Sequence, residues 1–97
     1  MSEIIPPTVE ILSKSDCHLC HEAKARLQEL QTSHPFSLRE VDITTRADLL
    51  ERYQEEIPVV FINGRKAFKY HVDAKQFVRA LRRAQPRRWR LPWGRES

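Results

Sequence analysis

Thr8-Val9-Glu10-Ile11-Leu12-Ser13-Lys14-Ser15-Asp16-Cys17-His18-Leu19-Cys20-His21 is the stretch that decides how this chain is read. Thr8 to Leu12 has the composition of a short strand, Ser13 to Asp16 is a polar turn, and from Cys17 onward Leu19, Ala23, Leu27 and Leu30 fall on one helical face. The chain's two cysteines therefore sit at a strand-to-helix junction with two residues between them. A thiol in the first turn of a helix lies near unpaired backbone N–H groups and the positive end of the helix dipole, which favour the thiolate. A second thiol one turn along reaches the first, closing a disulfide or resolving a mixed one. Cys17, nearer the helix start, is the candidate nucleophile, and Cys20 the candidate resolving thiol. The plain alternative is that both are small buried hydrophobes.

Working outward, 97 residues make one domain. Hydrophobic residues at 40% and charged residues at 31% are ordinary for a globular chain, and no apolar run approaches the roughly 20 residues of a membrane span. Met1 to Pro7 lacks the basic-then-apolar pattern of an export signal, so the expectation is a cytoplasmic monomer with its thiols in a reducing compartment. There a cysteine pair is more often catalytic or metal-binding than a permanent staple. The net charge of +4 is uneven: Met1 to Leu81 hold 11 Lys/Arg against 12 Asp/Glu, while Arg82 to Ser97 hold six arginines against Glu96. The division expected is a domain over 1–85 and a basic tail over 86–97.

Phe36 to Ile43 has strand character with alternation that fades near Val41. Thr45 and Asp48 have capping-box spacing at the start of a second helix whose buried side is Leu49, Leu50 and Tyr53. Val59-Val60-Phe61-Ile62 is a continuous apolar run, the pattern of a central strand covered on both faces. Asn63-Gly64 predicts a two-residue hairpin turn, with Arg65 to Tyr70 running back antiparallel. Asp73 caps a third helix, with Gln76 at the capping-box position, Ala74, Phe77, Leu81 and Ala84 on one face, and Pro86 as its stop.

The order β-α-β-α-β-β-α, with C-x-x-C after the first strand and Ile57-Pro58 before the third, resembles the thioredoxin fold as glutaredoxins build it, an α/β architecture with a four-stranded mixed sheet. The resemblance covers about Thr8 to Ala84. Cys-His-Leu-Cys-His-Glu-Ala-Lys, with Glu-Ile-Pro-Val-Val-Phe-Ile-Asn-Gly downstream, is similar to a bacterial branch of glutaredoxin-like proteins. It implies a thiol–disulfide oxidoreductase acting on cysteine-containing proteins or small disulfides, with the first cysteine the more exposed. It also implies a cis bond before Pro58 that leaves the backbone of Ile57 open to an extended substrate peptide. For glutathione the match is partial. Lys14 stands where glutaredoxins keep a lysine for a glutathione carboxylate, and Asp73 survives at the helix start, where a capping role explains it equally. The family's Gly-Gly pair is replaced by Tyr70-His71, so no bound cofactor is required and glutathione-coupled activity is expected to be weak.

Cys17-His18-Leu19-Cys20-His21 also spells a covalent haem-attachment pattern, which belongs to exported proteins, whereas the expectation from Met1 to Pro7 is a chain that is not exported, and its one methionine is Met1. Zinc has the right atoms, but four ligands within five helical residues cannot converge on one tetrahedral ion, so His34 or His71 would have to help. By analogy with some glutaredoxins, a shared iron–sulfur cluster is a further reading, and a non-catalytic metal-carrying or binding module is the rival to the enzyme. His18, His21 and Lys14 add positive potential near Cys17, and Asp16 opposes it. The tail Pro86-Arg87-Arg88-Trp89-Arg90-Leu91-Pro92-Trp93-Gly94-Arg95 interleaves arginine with tryptophan, which suits a polyanion, an acidic protein or an anionic membrane surface. Tryptophans folded back on the domain are the plain alternative.

Overall fold

Alternation along the first strand places Val9 and Ile11 on one sheet face and Leu12 on the other, and all three are buried. In this computed structural model, which describes residues 6–84, that strand is β1 (Thr8–Ser13). There follow α1 (His18–Gln31), β2 (Ser37–Asp42), a 3-10 turn (Ile43–Thr45), α2 (Ala47–Tyr53), β3 (Val59–Ile62), β4 (Arg65–Lys69) and α3 (Ala74–Ala84). The expected tail over 86–97 lies outside the described residues. The sheet order is β2-β1-β3-β4, with β1 and β2 parallel and the other pairs antiparallel. This is the expected β-α-β-α-β-β-α thioredoxin-like architecture, with β1 and β3 central.

Helices cover both faces. Val9, Ile11, Val60 and Ile62 pack against Ala23 and Leu27 of α1 and Phe77 and Leu81 of α3, joined by Phe36 and Val72. Phe77 is fully buried and meets Phe36 edge to face at 5.3 Å; removing such a side chain from water contributes about 2–3 kcal/mol. On the opposite face Leu12, Val59, Ile43 and Tyr53 form a second cluster beneath α2. Because alternate residues of β3 enter two different cores, the strand reads in sequence as an unbroken apolar run.

Two boundaries differ from expectation. The Thr45–Asp48 capping box does not form: α2 begins at Ala47, after Arg46, with no side-chain cap. Asp42 instead accepts from the backbone N–H of Thr44 at 2.9 Å and its hydroxyl at 2.7 Å. That short-range turn winds residues 43–45 into the 3-10 segment before the helix can start. Asp48 is taken by the guanidinium of Arg46 at 2.8 and 3.2 Å. Likewise β4 stops at Lys69 because Tyr70 has φ +70°, outside the extended region.

The hairpin turn forms as Asn63-Gly64 predicts, with φ of +50° and +84°. Asn63 does more than turn. Its Oδ1 accepts from the N–H of Thr8 at 2.9 Å, and its Nδ2 donates to the carbonyl of Ala84 at 2.8 Å. The hairpin is thereby tied to the start of β1 and the end of α3. Opposite it, Leu12 pairs with Val59, so the loop carrying Cys17 and the Ile57-Pro58 segment leave the sheet at one common end.

Candidate active site

Cys17 is the N-cap of α1, with extended backbone at φ −105° and ψ 110°, and its Sγ accepts from the backbone N–H of Cys20 at 3.1 Å. The carbonyl of Cys17 accepts from His21 N–H and its own N–H donates to Lys14, closing the turn. The sulfur thus occupies the place that a serine hydroxyl takes in an ordinary cap. Cys17 and Cys20 are joined as a disulfide, with Cα atoms 5.2 Å apart. Their environments are unequal: Cys20 is 2% exposed, whereas Cys17 is only partly buried.

The other residues singled out from sequence distribute around this pair. Lys14 lies in the turn before it, its ammonium 4.0 Å from Asp16. His18 Nε2 is 3.0 Å from the carboxylate of Glu22, and His21 Nε2 is 2.9 Å from the carbonyl oxygen of Ser15, so each imidazole has a partner of its own. Among the described residues no three His, Cys, Asp or Glu side chains are grouped to hold a metal ion. Ile57 is partly buried, Pro58 is buried, and the bond between them is cis. The carbonyl of Pro58 accepts from Tyr70 N–H at 2.8 Å, and the hydroxyl of Tyr70 donates to the carbonyl of Glu55 at 3.1 Å. Asp73 caps α3, its carboxylate accepting from Gln76 N–H at 2.9 Å. Between α1 and the segment from Tyr70 to Ala74 lies a cavity of about 330 Å³, lined in part by Glu22, Arg26, Tyr70, His71 and Asp73. That size is at the small end of ligand pockets.

One cluster at this end escaped the sequence reading. The buried hydroxyl of Ser13, the last residue of β1, donates to Glu40 at 2.8 Å, and Lys24 of α1 donates to the same carboxylate at 2.7 Å. The hydrogen bond from Lys24 first, and that from Ser13 second, hold the Glu40 carboxyl below the usual range against the opposing effect of burial. Ser13 and Glu40 are 27 residues apart, and only the parallel register of β1 on β2 joins them. No local pattern announces that contact.

A family model described as "Glutaredoxin-like domain (DUF836)" matches residues 8–82. The chain belongs to the glutaredoxin-like family. The uncharacterized protein Rv0508 of Mycobacterium tuberculosis is 28% identical to this glutaredoxin-like chain over 72 residues, 69% of this chain and 74% of that one. The solution structure of protein Ne2328 from Nitrosomonas europaea superposes with a TM-score of 0.70 at 25% identity, covering 80% of this chain and 94% of that one. Mitochondrial thioredoxin 3 of Saccharomyces cerevisiae, in its oxidized form, superposes with a TM-score of 0.62 at 13% identity, covering 81% and 79%; at that identity the likeness is of fold. Among the described residues, no helix is long and apolar enough to cross a membrane.

Proposed function

We propose that this glutaredoxin-like chain is a thiol–disulfide oxidoreductase in which Cys17 attacks and Cys20 resolves. The observation that carries the reading is the asymmetry of the pair: a partly exposed sulfur at a helix N-cap, facing a backbone N–H, beside a buried partner one turn on. On reduction that N–H and the helix dipole favour the thiolate of Cys17 over the thiol. The thiolate attacks a substrate disulfide, forming the Cys17–substrate bond and releasing one substrate thiolate. Cys20, deprotonated, then attacks Cys17 Sγ, releasing the second substrate thiol and leaving the internal disulfide. Two electrons have passed to the substrate, and an external thiol or dithiol reductant restores the pair.

In this reading a cysteine-containing peptide lies extended beside Ile57 and Pro58, which leave the sheet at the same end as Cys17. Lys14 lies in the turn before Cys17, and Asp73 lines the cavity beside α1. Lys14 offers an ammonium to a substrate carboxylate, and Asp73 acts chiefly as the cap of α3. Glutathione is a poor fit because Tyr70 and His71 replace the small residues that would admit its γ-glutamyl end, and Tyr70 is fastened to Glu55 and Pro58. The chemistry requires a reducing compartment, for which the cytoplasm is the natural setting, and it requires only one copy of the chain.

Insulin reduction driven by dithiothreitol tests the proposal, together with a Cys20→Ser variant that should accumulate a mixed disulfide on Cys17. Turnover that survives Cys17→Ser, or adducts that form on Cys20 when both thiols are present, would reverse or remove the assigned roles.

A further inference from the structure

Away from the cysteines the chain changes charge. Residues 1–64 hold six Lys/Arg and 11 Asp/Glu, whereas residues 65–97 hold 11 Lys/Arg and two Asp/Glu. Within the described part of that second stretch, Arg65 stands on β4, the edge strand, and Lys75, Arg79, Arg82 and Arg83 stand on α3. Between β4 and α3 lies a groove of about 790 Å³ whose walls include Arg65 and Lys66 on one side and Gln76, Arg79 and Arg83 on the other, with no carboxylate among the lining residues. Lys66 is paired with Glu56 at 3.1 Å. Arg65, Arg79 and Arg83 are exposed and form no ion pair with another described residue.

We propose that this groove binds the phosphodiester backbone of single-stranded nucleic acid. Three guanidinium forks on two facing walls match phosphate oxygens in pairs, a geometry that a lysine point charge does not supply. Arg79 and Arg83 are one turn apart, about 6 Å along the helix axis, a step comparable to that between neighbouring phosphates. A concave site with cations on both sides accepts a strand, whereas a flat membrane meets only its rims. The groove floor includes Ile62, which is buried, and Phe68, half-buried with its ring 6.1 Å from that of Phe77, so the large side chains the groove leaves exposed are polar or cationic. Protein partners and lipid insertion depend on exposed apolar anchors.

The sequence that continues from Ala84, Gln85-Pro86-Arg87-Arg88-Trp89-Arg90-Leu91-Pro92-Trp93, has the wrong charge to fill the groove itself. The groove includes Asn63 and Ala84, at the sheet end opposite the cysteines, so a bound strand leaves Cys17 reachable.

The test uses the full chain and a fluorescein-labelled oligouridylate of about 20 nucleotides, followed by anisotropy over a range of salt. Binding should weaken steeply with salt. The triple variant Arg65→Gln, Arg79→Gln, Arg83→Gln should bind at least ~10-fold more weakly and flatten the log–log salt slope by about 2, since each phosphate neutralised on a single strand contributes ~0.7. Its circular-dichroism melting curve and insulin reduction should be unchanged. If the triple variant melts early, Arg79→Gln and Arg83→Gln tested singly should each lose binding several-fold. Unchanged affinity in these variants would place the binding in residues 85–97 alone and overturn the proposal. It would equally be overturned by no binding at about 50 mM salt, or by tighter binding to polyglutamate or to phosphatidylglycerol vesicles than to the oligonucleotide.

Discussion

The two ends of the sheet share the same four strands and differ in nearly everything else. At one end, where Leu12 faces Val59, the loops carry a disulfide and a cis proline, and Glu40 near the end of β2 is held by Lys24 and Ser13. At the other, where Val9 faces Ile62, an Asn-Gly turn locks the start of β1 to the end of α3 beside a groove whose arginines form no ion pair with another described residue. The strands between join the two ends by backbone pairing and apolar packing. The difference teaches that this fold isolates chemistry at its loop ends, and that a common core, centred on Phe77, must hold both ends at once.

The sharpest separation comes from Cys17→Ser, which should lower disulfide reduction by about 100-fold or more while leaving oligonucleotide binding within twofold of the parent chain. Insulin turnover and anisotropy read the two ends independently. A parallel loss of both would mean that the ends are coupled.

Phe77→Ala attacks what the ends share. Truncating a fully buried phenylalanine that packs on Phe36 should cost about 3–5 kcal/mol, read from the urea midpoint. Both activities should fall together as the chain unfolds. Survival of one alone would show that each end has its own sufficient core.

Asp73 probes α3 where it begins, at the end near the cysteines, while its last turn borders the arginine groove. Asp73→Ala should cost about 1 kcal/mol of stability, and Asp73→Asn, which retains a capping oxygen, only a few tenths. Turnover should follow stability. If Asp73→Asn lowers turnover as much as Asp73→Ala, the carboxylate recognises substrate and is more than a cap.

The smallest expected effect is that of Glu40. Lys24 and Ser13 favour its ionised form in the folded chain, so its contribution is present above the ordinary carboxylate range and is lost as pH falls through the lowered folded value. Stability measured by urea titration should therefore decline as the solution is acidified through that range, and Glu40→Gln should flatten that part of the profile. The difference should stay under about 1 kcal/mol, because solvent screens a partly exposed pair. A steeper acid loss in Glu40→Gln than in the parent chain would contradict the assigned direction.

Much of the fold was legible because its signals are local. The Asn63-Gly64 turn, the apolar run of β3 and the Asp73 cap each depend on residues within one turn or one strand. The two misplaced boundaries show where local signals compete. Thr45 and Asp48 had the spacing of a cap, but Asp42 closed a nearer turn first. At Tyr70 a positive φ ended β4 although the side chain favours strands. The cysteine pair was legible for the same reason, since its spacing along one helix is fixed by four consecutive residues.

By itself the sequence determined the element order, the central place of β3 and the position of Cys17 and Cys20 at a helix start, all of which follow from periodicity and short-range backbone chemistry. Tertiary structure alone decided that Glu40 meets Ser13 and Lys24, and that Arg65 faces Arg79 and Arg83 across a groove. The reason is the range of the forces involved. Hydrogen-bonded turns and helical faces are set within a few residues, whereas exposure and charge clustering depend on how strands far apart in sequence come into register, and no single segment carries that information.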